Sequence, residues 1–237
     1  MRRSPRSMII IASILVFSFC TILIMMFDYR GAQEDAGAAY IENGVSDTGA
    51  ANLVSAIYLN YRLYDTLFEI LVFSVAVLGV HFYLVQQKGS AEEVTHIPES
   101  QIIRTSADLL FPPILLLGIY LVLFGHLSPG GGFSGGTAAG TGLLLCAVAL
   151  GADVVAQRLH EAALERFEWG ILLVIIFLVL LPILFGRLPL TDLLPRGRLG
   201  NLLSGGSIPI YNALIGIKVF IGTWVVIYAF IRHRGEI

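Results

Sequence analysis

Charged residues are scarce in this chain. They make up 14% of its 237 residues, against roughly 25% in a soluble domain. The net charge of −2 offers no basic surface, so a nucleic-acid partner is not expected. Cysteine is nearly absent too. Cys20 and Cys146 both sit in apolar runs, without metal-ligand spacing or a neighbouring Cys or His, and read as buried thiols. The glycines are not followed by Gly-Lys-Ser/Thr and no strand precedes them, which excludes a phosphate loop. No metal cluster, haem-ligand pair or nucleophile with a base in reach is visible, and no internal repeat. Hydrolysis, redox chemistry and nucleotide binding therefore find no support, and no cofactor or metal is implied.

What fills the chain is apolar: 56% of it is hydrophobic, and the mean hydropathy is +0.80. A spanning helix needs about 20 mostly apolar residues. Segments near 8–27, 65–86, 107–127, 133–155, 168–186 and 208–231 qualify. The fold class expected is therefore all-α: a polytopic integral membrane protein of about six transmembrane helices in the lipid bilayer. Arg2, Arg3 and Arg6 precede the first run, which is longer than a signal-peptide core and reads as a retained helix. The polar stretch 28–52 separates the first two spans, and residues 53–64 read as an amphipathic interfacial helix leading into the second. A polar segment over 88–105 divides the chain into a two-helix part (1–90), a linker (91–104) and a four-helix part (105–237). The Lys/Arg bias of the short loops places both termini in the cytoplasm, although the outer loop 187–207 is itself basic.

Ionisable groups at membrane depth are costly, so each is a functional candidate. Asp65 and Glu69 stand four residues apart on one helix face, with Arg62 three residues before Asp65. They are either part of an ion pathway or interfacial charges paired with Arg62. Lys218 lies near the middle of the last span, too deep to snorkel easily, and needs a partner or must lose its charge. A transport role and a structural ion pair are both open to it. Asp108 and His126 flank the third span, 18 residues or five turns apart, and so share a face at its opposite ends. His126 suits proton handling or a hydrogen-bonding role in the turn beside Ser128, and Asp108 suits ion handling or stabilisation of a helix start. His81 and Asp153 fall near cytoplasmic span ends and read as solvated. Pro112 and Pro113 should kink the third span. Gly132, Gly136 and Gly140 recur at every fourth position, a small-residue face for close helix packing.

The stretch Gly125-His-Leu-Ser-Pro-Gly-Gly-Gly-Phe-Ser-Gly-Gly136 resembles the signature of the B subunit of Mrp-type multisubunit cation/proton antiporters, the MnhB-like domain. Thr105, Pro112, Tyr120, Gly200–Ser204, Gly216 and Lys218 fit the same family, and the likeness covers roughly residues 100–235. The segment Asn52–Glu69 is similar to the C-terminal membrane module of the antiporter's A-type polypeptide, which also occurs free-standing in membrane-bound hydrogenases. The pattern there is Asp-Phe-Arg-Gly-Phe-Asp-Thr-x-Gly-Glu. Tyr61, Arg62, Asp65, Thr66 and Glu69 match it or nearly so, whereas Asn60, Leu63 and Phe68 depart from it. The resemblance implies two small subunits fused into one cell-membrane subunit without catalytic activity of its own. It would help to form a path for Na⁺ or another monovalent cation in exchange for H⁺. Its partners would be large antiporter-like proton-pumping subunits and small membrane subunits. A purely structural scaffold in a hydrogenase-like, redox-driven ion pump is the other reading.

Overall fold

The computed structural model describes residues 36–86, 100–159 and 161–232. The apolar run 8–27, with Cys20, and residues 87–99 of the linker region lie outside the described residues. All regular structure among the described residues is helical: α1 (Ala36–Thr48), α2 (Leu53–Ala56), a π-helical turn (Ile57–Tyr61), α3 (Leu63–Gln86), α4 (Gln101–Leu123), α5 (Gly132–Leu150), α6 (Ala152–Leu159), α7 (Glu161–Leu180), a 3₁₀ turn (Leu181–Phe185) and α8 (Ile208–Arg232). Five stretches are long and apolar enough to cross a membrane: Leu63–Leu84, Gln101–Leu123, Gly132–Leu150, Arg166–Phe185 and Ile208–Ile231. From Glu42 onward the chain forms one compact unit, and residues up to Ile41 belong to another.

Three local readings need correction. The stretch 28–52 is not simply a polar spacer, because residues 36–48 are helical. Ala36, Ala38 and Ala39 have high helix propensity, which outweighs the missing hydrophobic stripe. Residues 53–64 do not form one interfacial helix. Asn52 caps α2 by accepting from the Val54 and Ser55 N–H groups, the next turn widens to π geometry, and Arg62 leaves the helix at φ −125° and ψ 37°. The third span begins earlier and ends sooner than its hydropathy implied, at Gln101 and Leu123. Pro112 and Pro113 lie inside α4, which continues past both of them.

Glycine sets the packing. A Cβ on Gly136 would lie 2.5 Å from the Gly216 carbonyl oxygen. One on Gly132 would lie 2.7 Å from the Asn212 carbonyl oxygen, and one on Gly140 would lie 2.7 Å from Thr223 Cγ2. These three therefore form the face on which α5 meets α8. A Cβ on Gly118 of α4 would lie 2.8 Å from the Gly135 carbonyl oxygen, so the α4–α5 pair also runs backbone against backbone. Small residues permit this approach, which gains dispersion energy where lipid tails supply no hydrophobic drive. A groove of about 260 Å³ opens over this floor beside Leu115, Ile119, Ile217 and Phe220. Its lining is apolar throughout, so it offers nothing to hold a cation.

α8 is the centre of the bundle, touching α3, α4, α5, α6 and α7. Ile70, Ile171, Ile175, Ile215 and Val219 form the core where α3, α7 and α8 meet. Cys146, a buried thiol, joins Leu143, Val155 and Trp224 in a second cluster. Many large apolar side chains point outward, among them Leu109 at 72% exposure, Val72 at 69% and Leu173 at 67%. Such a surface suits lipid or neighbouring helices rather than water.

Candidate functional site

At one end of the bundle the two halves of the chain are tied by a polar knot. The Asn52 side-chain amide donates to the Gly125 and Ser128 carbonyls at 2.7 and 2.9 Å, and its backbone N–H donates to the His126 carbonyl at 3.0 Å. Asn212, fully buried in the first turns of α8, accepts from the Gly132 N–H at 2.9 Å and from the Tyr58 hydroxyl at 3.3 Å. Thr66 donates to the carbonyl of Tyr58, within the π-helical turn, at 2.5 Å. Gly131 (φ +143°) leaves room for the Tyr58 hydroxyl, which a side chain there would meet. Arg196 donates to the Ser46 carbonyl at 2.8 Å, and Asp192 accepts from Ser207 N–H at the start of α8 at 3.2 Å. The loop 186–207 is thereby clamped over the same end.

The carboxylates of α3 begin directly beneath this knot. Arg62 Nη2 lies 2.6 Å from Asp65 Oδ2. That carboxylate, the largest influence on the group, holds the guanidinium above its ordinary range. Glu69 follows one turn deeper and is exposed, sharing the outward surface of α3 with Phe68 and Val72. Burial pushes the Tyr58 phenol up, its hydrogen bond with Ser55 opposes that, and the Glu69 charge adds to the rise. The Glu69 field therefore reaches the knot.

Lys218 is buried, and its partner is Glu168 of α7, with Nζ 2.9 Å from Oε1. The pair stands apart from Asp65, which pairs with Arg62. Glu168 was missed in reading the sequence, although it lies inside the apolar run that begins at Arg166. An acid there is as costly as the lysine that drew attention. Asn52 and Asn212 were missed as well, because an amide in a helix cap or first turn carries no periodic signal.

His126 and Asp108 do not share a helix face. α4 ends before His126, which sits fully buried in the turn, with Nε2 3.4 Å from the Asn201 carbonyl. Its Nδ1 has no partner of good hydrogen-bond geometry. Burial lowers its pKa from the ordinary 6.5, and the Asn201 and Leu123 backbone groups pull the other way. Asp108 is exposed and stands two turns inside α4, too deep for stabilisation of a helix start. His81 is exposed on α3. No group of three or more His, Cys, Asp or Glu residues suited to a metal occurs among the described residues.

Residues 102–225 match a family described as a domain related to the MnhB subunit of Na⁺/H⁺ antiporter, and residues 1–102 match the family MbhE, named for the E component of MBH. An uncharacterized protein of Methanocaldococcus jannaschii is 30% identical over 198 residues, covering 72% of this chain and 73% of that protein. A probable K⁺/H⁺ antiporter polypeptide of Rhizobium meliloti, of the combined A/B type, is 26% identical over 167 residues. That match covers 60% of this chain but only 17% of the relative. Among solved structures, a chain of the membrane-bound sulfane sulfur reductase, an archaeal respiratory membrane complex, superposes with a TM-score of 0.67 at 31% identity. The match covers 95% of this chain and 97% of that one. A chain of the Mrp complex from Dietzia sp. DQ12-45-1b gives a TM-score of 0.66 at 23% identity, covering 100% of this chain and 27% of that one, a likeness of fold.

Proposed function

The chain belongs to the family of domains related to the MnhB subunit of Na⁺/H⁺ antiporters, and from that premise we propose the part it plays in an ion-exchanging complex. It is a multi-pass membrane protein, an Mrp-like subunit of the type found in multisubunit membrane complexes. In the reading we favour, it is a non-catalytic subunit in the cell membrane with both termini cytoplasmic. It docks large antiporter-like subunits and small membrane subunits, and it contributes to a path for Na⁺ or another monovalent cation exchanged for H⁺. Asp65 and Glu69 line that path.

The observation that carries this reading is the position of Glu69. It stands one turn beyond the Arg62–Asp65 pair, on a spanning helix, exposed among apolar side chains and turned away from the other described helices. A carboxylate there cannot face lipid at low cost, whereas a partner helix or a hydrated cation path would accommodate it. The test is Glu69→Gln in the assembled complex, with cation/proton exchange measured in everted vesicles and assembly followed by co-purification. The expected result is intact assembly with most of the exchange lost.

The likeness to a chain of the sulfane sulfur reductase over nearly its whole length favours a second reading, a scaffold within a redox-driven ion pump. On that reading Glu69→Gln would assemble and transport normally. Iron–sulfur subunits would also co-purify with the tagged chain, whereas a stand-alone antiporter would bring down antiporter-like subunits without them.

A further inference from the structure

The ion pair between Glu168 and Lys218 has no place in the cation path described above. It is buried at 8% and 1% exposure, and its partners lie 50 residues apart in sequence on two spanning helices. Lys218 is ten residues into α8, about 15 Å from its start at 1.5 Å per residue. That is near the midplane of a hydrocarbon core about 30 Å thick. An ammonium has three donors, and one of them meets Glu168; the other two have no acceptor among the described residues. Desolvating two charges offsets much of their attraction, so a buried pair of this kind is weakly explained by stability alone.

Among the described residues, the ion-pair partner found for Lys218 is Glu168. Of the elements packed against α8, α3 carries Asp65, Glu69 and His81, and α4 carries Arg104 and Asp108. α5 carries no charged residue, α6 carries Asp153 and Arg158, and α7 carries Glu161, Glu165 and Arg166 besides Glu168. Of these, Asp65 is engaged by Arg62, while Glu69, His81 and Asp108 are exposed. Glu168 stands two residues beyond Arg166, where the apolar stretch of α7 begins, so the end of the bundle at which α6 meets α7 gives the shortest route to water.

We propose that Glu168 and Lys218 together form a proton-carrying site inside the membrane, serving the proton side of the exchange. A proton passes along the 2.9 Å hydrogen bond from Nζ to Oε1. One N–H bond breaks, one O–H bond forms and the two charges cancel. Glu168 then releases its proton to water at the α6–α7 end, and the Lys218 amine takes a proton from water on the other side. One proton is moved and the ion pair restored. This rests on reading the chain as part of a cation/proton exchanger.

The test uses the assembled complex with Glu168→Gln and with the doubly neutral E168Q/K218M, which leaves no unpaired charge should the single variant misassemble. Exchange is followed with a pH-sensitive dye in everted vesicles, assembly by co-purification, and carboxyl protonation by pH-induced infrared difference spectra. The expected result is assembly of the double variant, exchange reduced to background, and loss of a carboxylic-acid C=O band that the native complex shows. Exchange at the native rate in an assembled double variant would overturn the proposal. The infrared band does not depend on transport, so it decides the matter even if the native complex exchanges no cation. Its absence from the native spectrum sinks the proton site, whereas its presence alongside absent exchange counts only against the antiporter reading.

Discussion

α8 is held on its two sides by opposite means. Toward α5 it meets Gly132, Gly136 and Gly140, which carry no side chains, and the α5 backbone lies directly against α8 carbonyls and the side chains of Ile215, Val219 and Thr223, without a charge. Toward α7 it meets Ile171, Ile175 and Val179, and a lysine closes on a glutamate through the apolar packing. The first contact leaves no room for change and has nothing to titrate. The second holds two groups that can exchange a proton while the helices stay where they are. One spanning helix thus has a rigid face and a chemically active face, and the rigid face fixes where the active one stands.

The largest effect should come from breaking the active face on one side only. Lys218→Met leaves Glu168 buried without its cation, a change that costs about 3–5 kcal/mol when a buried pair is severed. The chain should then drop out of the detergent-purified complex at a markedly lower temperature on heating, and adding Glu168→Leu should restore most of the loss. A smaller effect is expected on the rigid face. Gly136→Val forces branched carbons against the Gly216 carbonyl and Val219, an overpacking cost of about 1–3 kcal/mol. Unlike Lys218→Met, it should not be rescued by any change at Glu168.

The smallest effect concerns the end of the bundle that aligns both faces. Burial lowers the His126 pKa below its ordinary 6.5, so the unfolded chain takes up a proton before the folded chain does. Stability from this group is full above about pH 6.5 and declines as pH falls toward the depressed folded value. Melting of the complex at about pH 7.5 and about pH 5.5, on either side of the ordinary histidine value, should show a modest loss at the lower pH, and His126→Gln should reduce it.

Much of the fold was legible because bilayer physics writes it plainly. Apolar runs of spanning length located five helices, with ends displaced by up to six residues, and glycines at every fourth position described a face suited to close approach. The errors arose where backbone chemistry rather than hydropathy sets structure. The Ala-rich start of α1 is helical without an apolar stripe. The π-helical turn and the break at Arg62 interrupt a sequence that looks continuously amphipathic. The helix end at Leu123 removes His126 from the face that Asp108 occupies.

The candidate site divides the same way. Asp65, Glu69 and Lys218 draw attention by residue type alone, since a charge in an apolar run is anomalous wherever the run goes. Their partners are not written there. Glu168 lies 50 positions from Lys218, and Asn212 lies 80 from the Gly132 amide that it satisfies. The sequence by itself determined that this chain enters a membrane, which helices cross it and which charges must be accommodated, because transfer into hydrocarbon depends on each segment's own composition. Only the tertiary structure decided that Lys218 meets Glu168, that Glu69 is exposed on α3, and that Asn52 and Asn212 tie the two halves together. Such pairings depend on which helix faces are brought within about 3 Å of one another, and composition does not encode that distance.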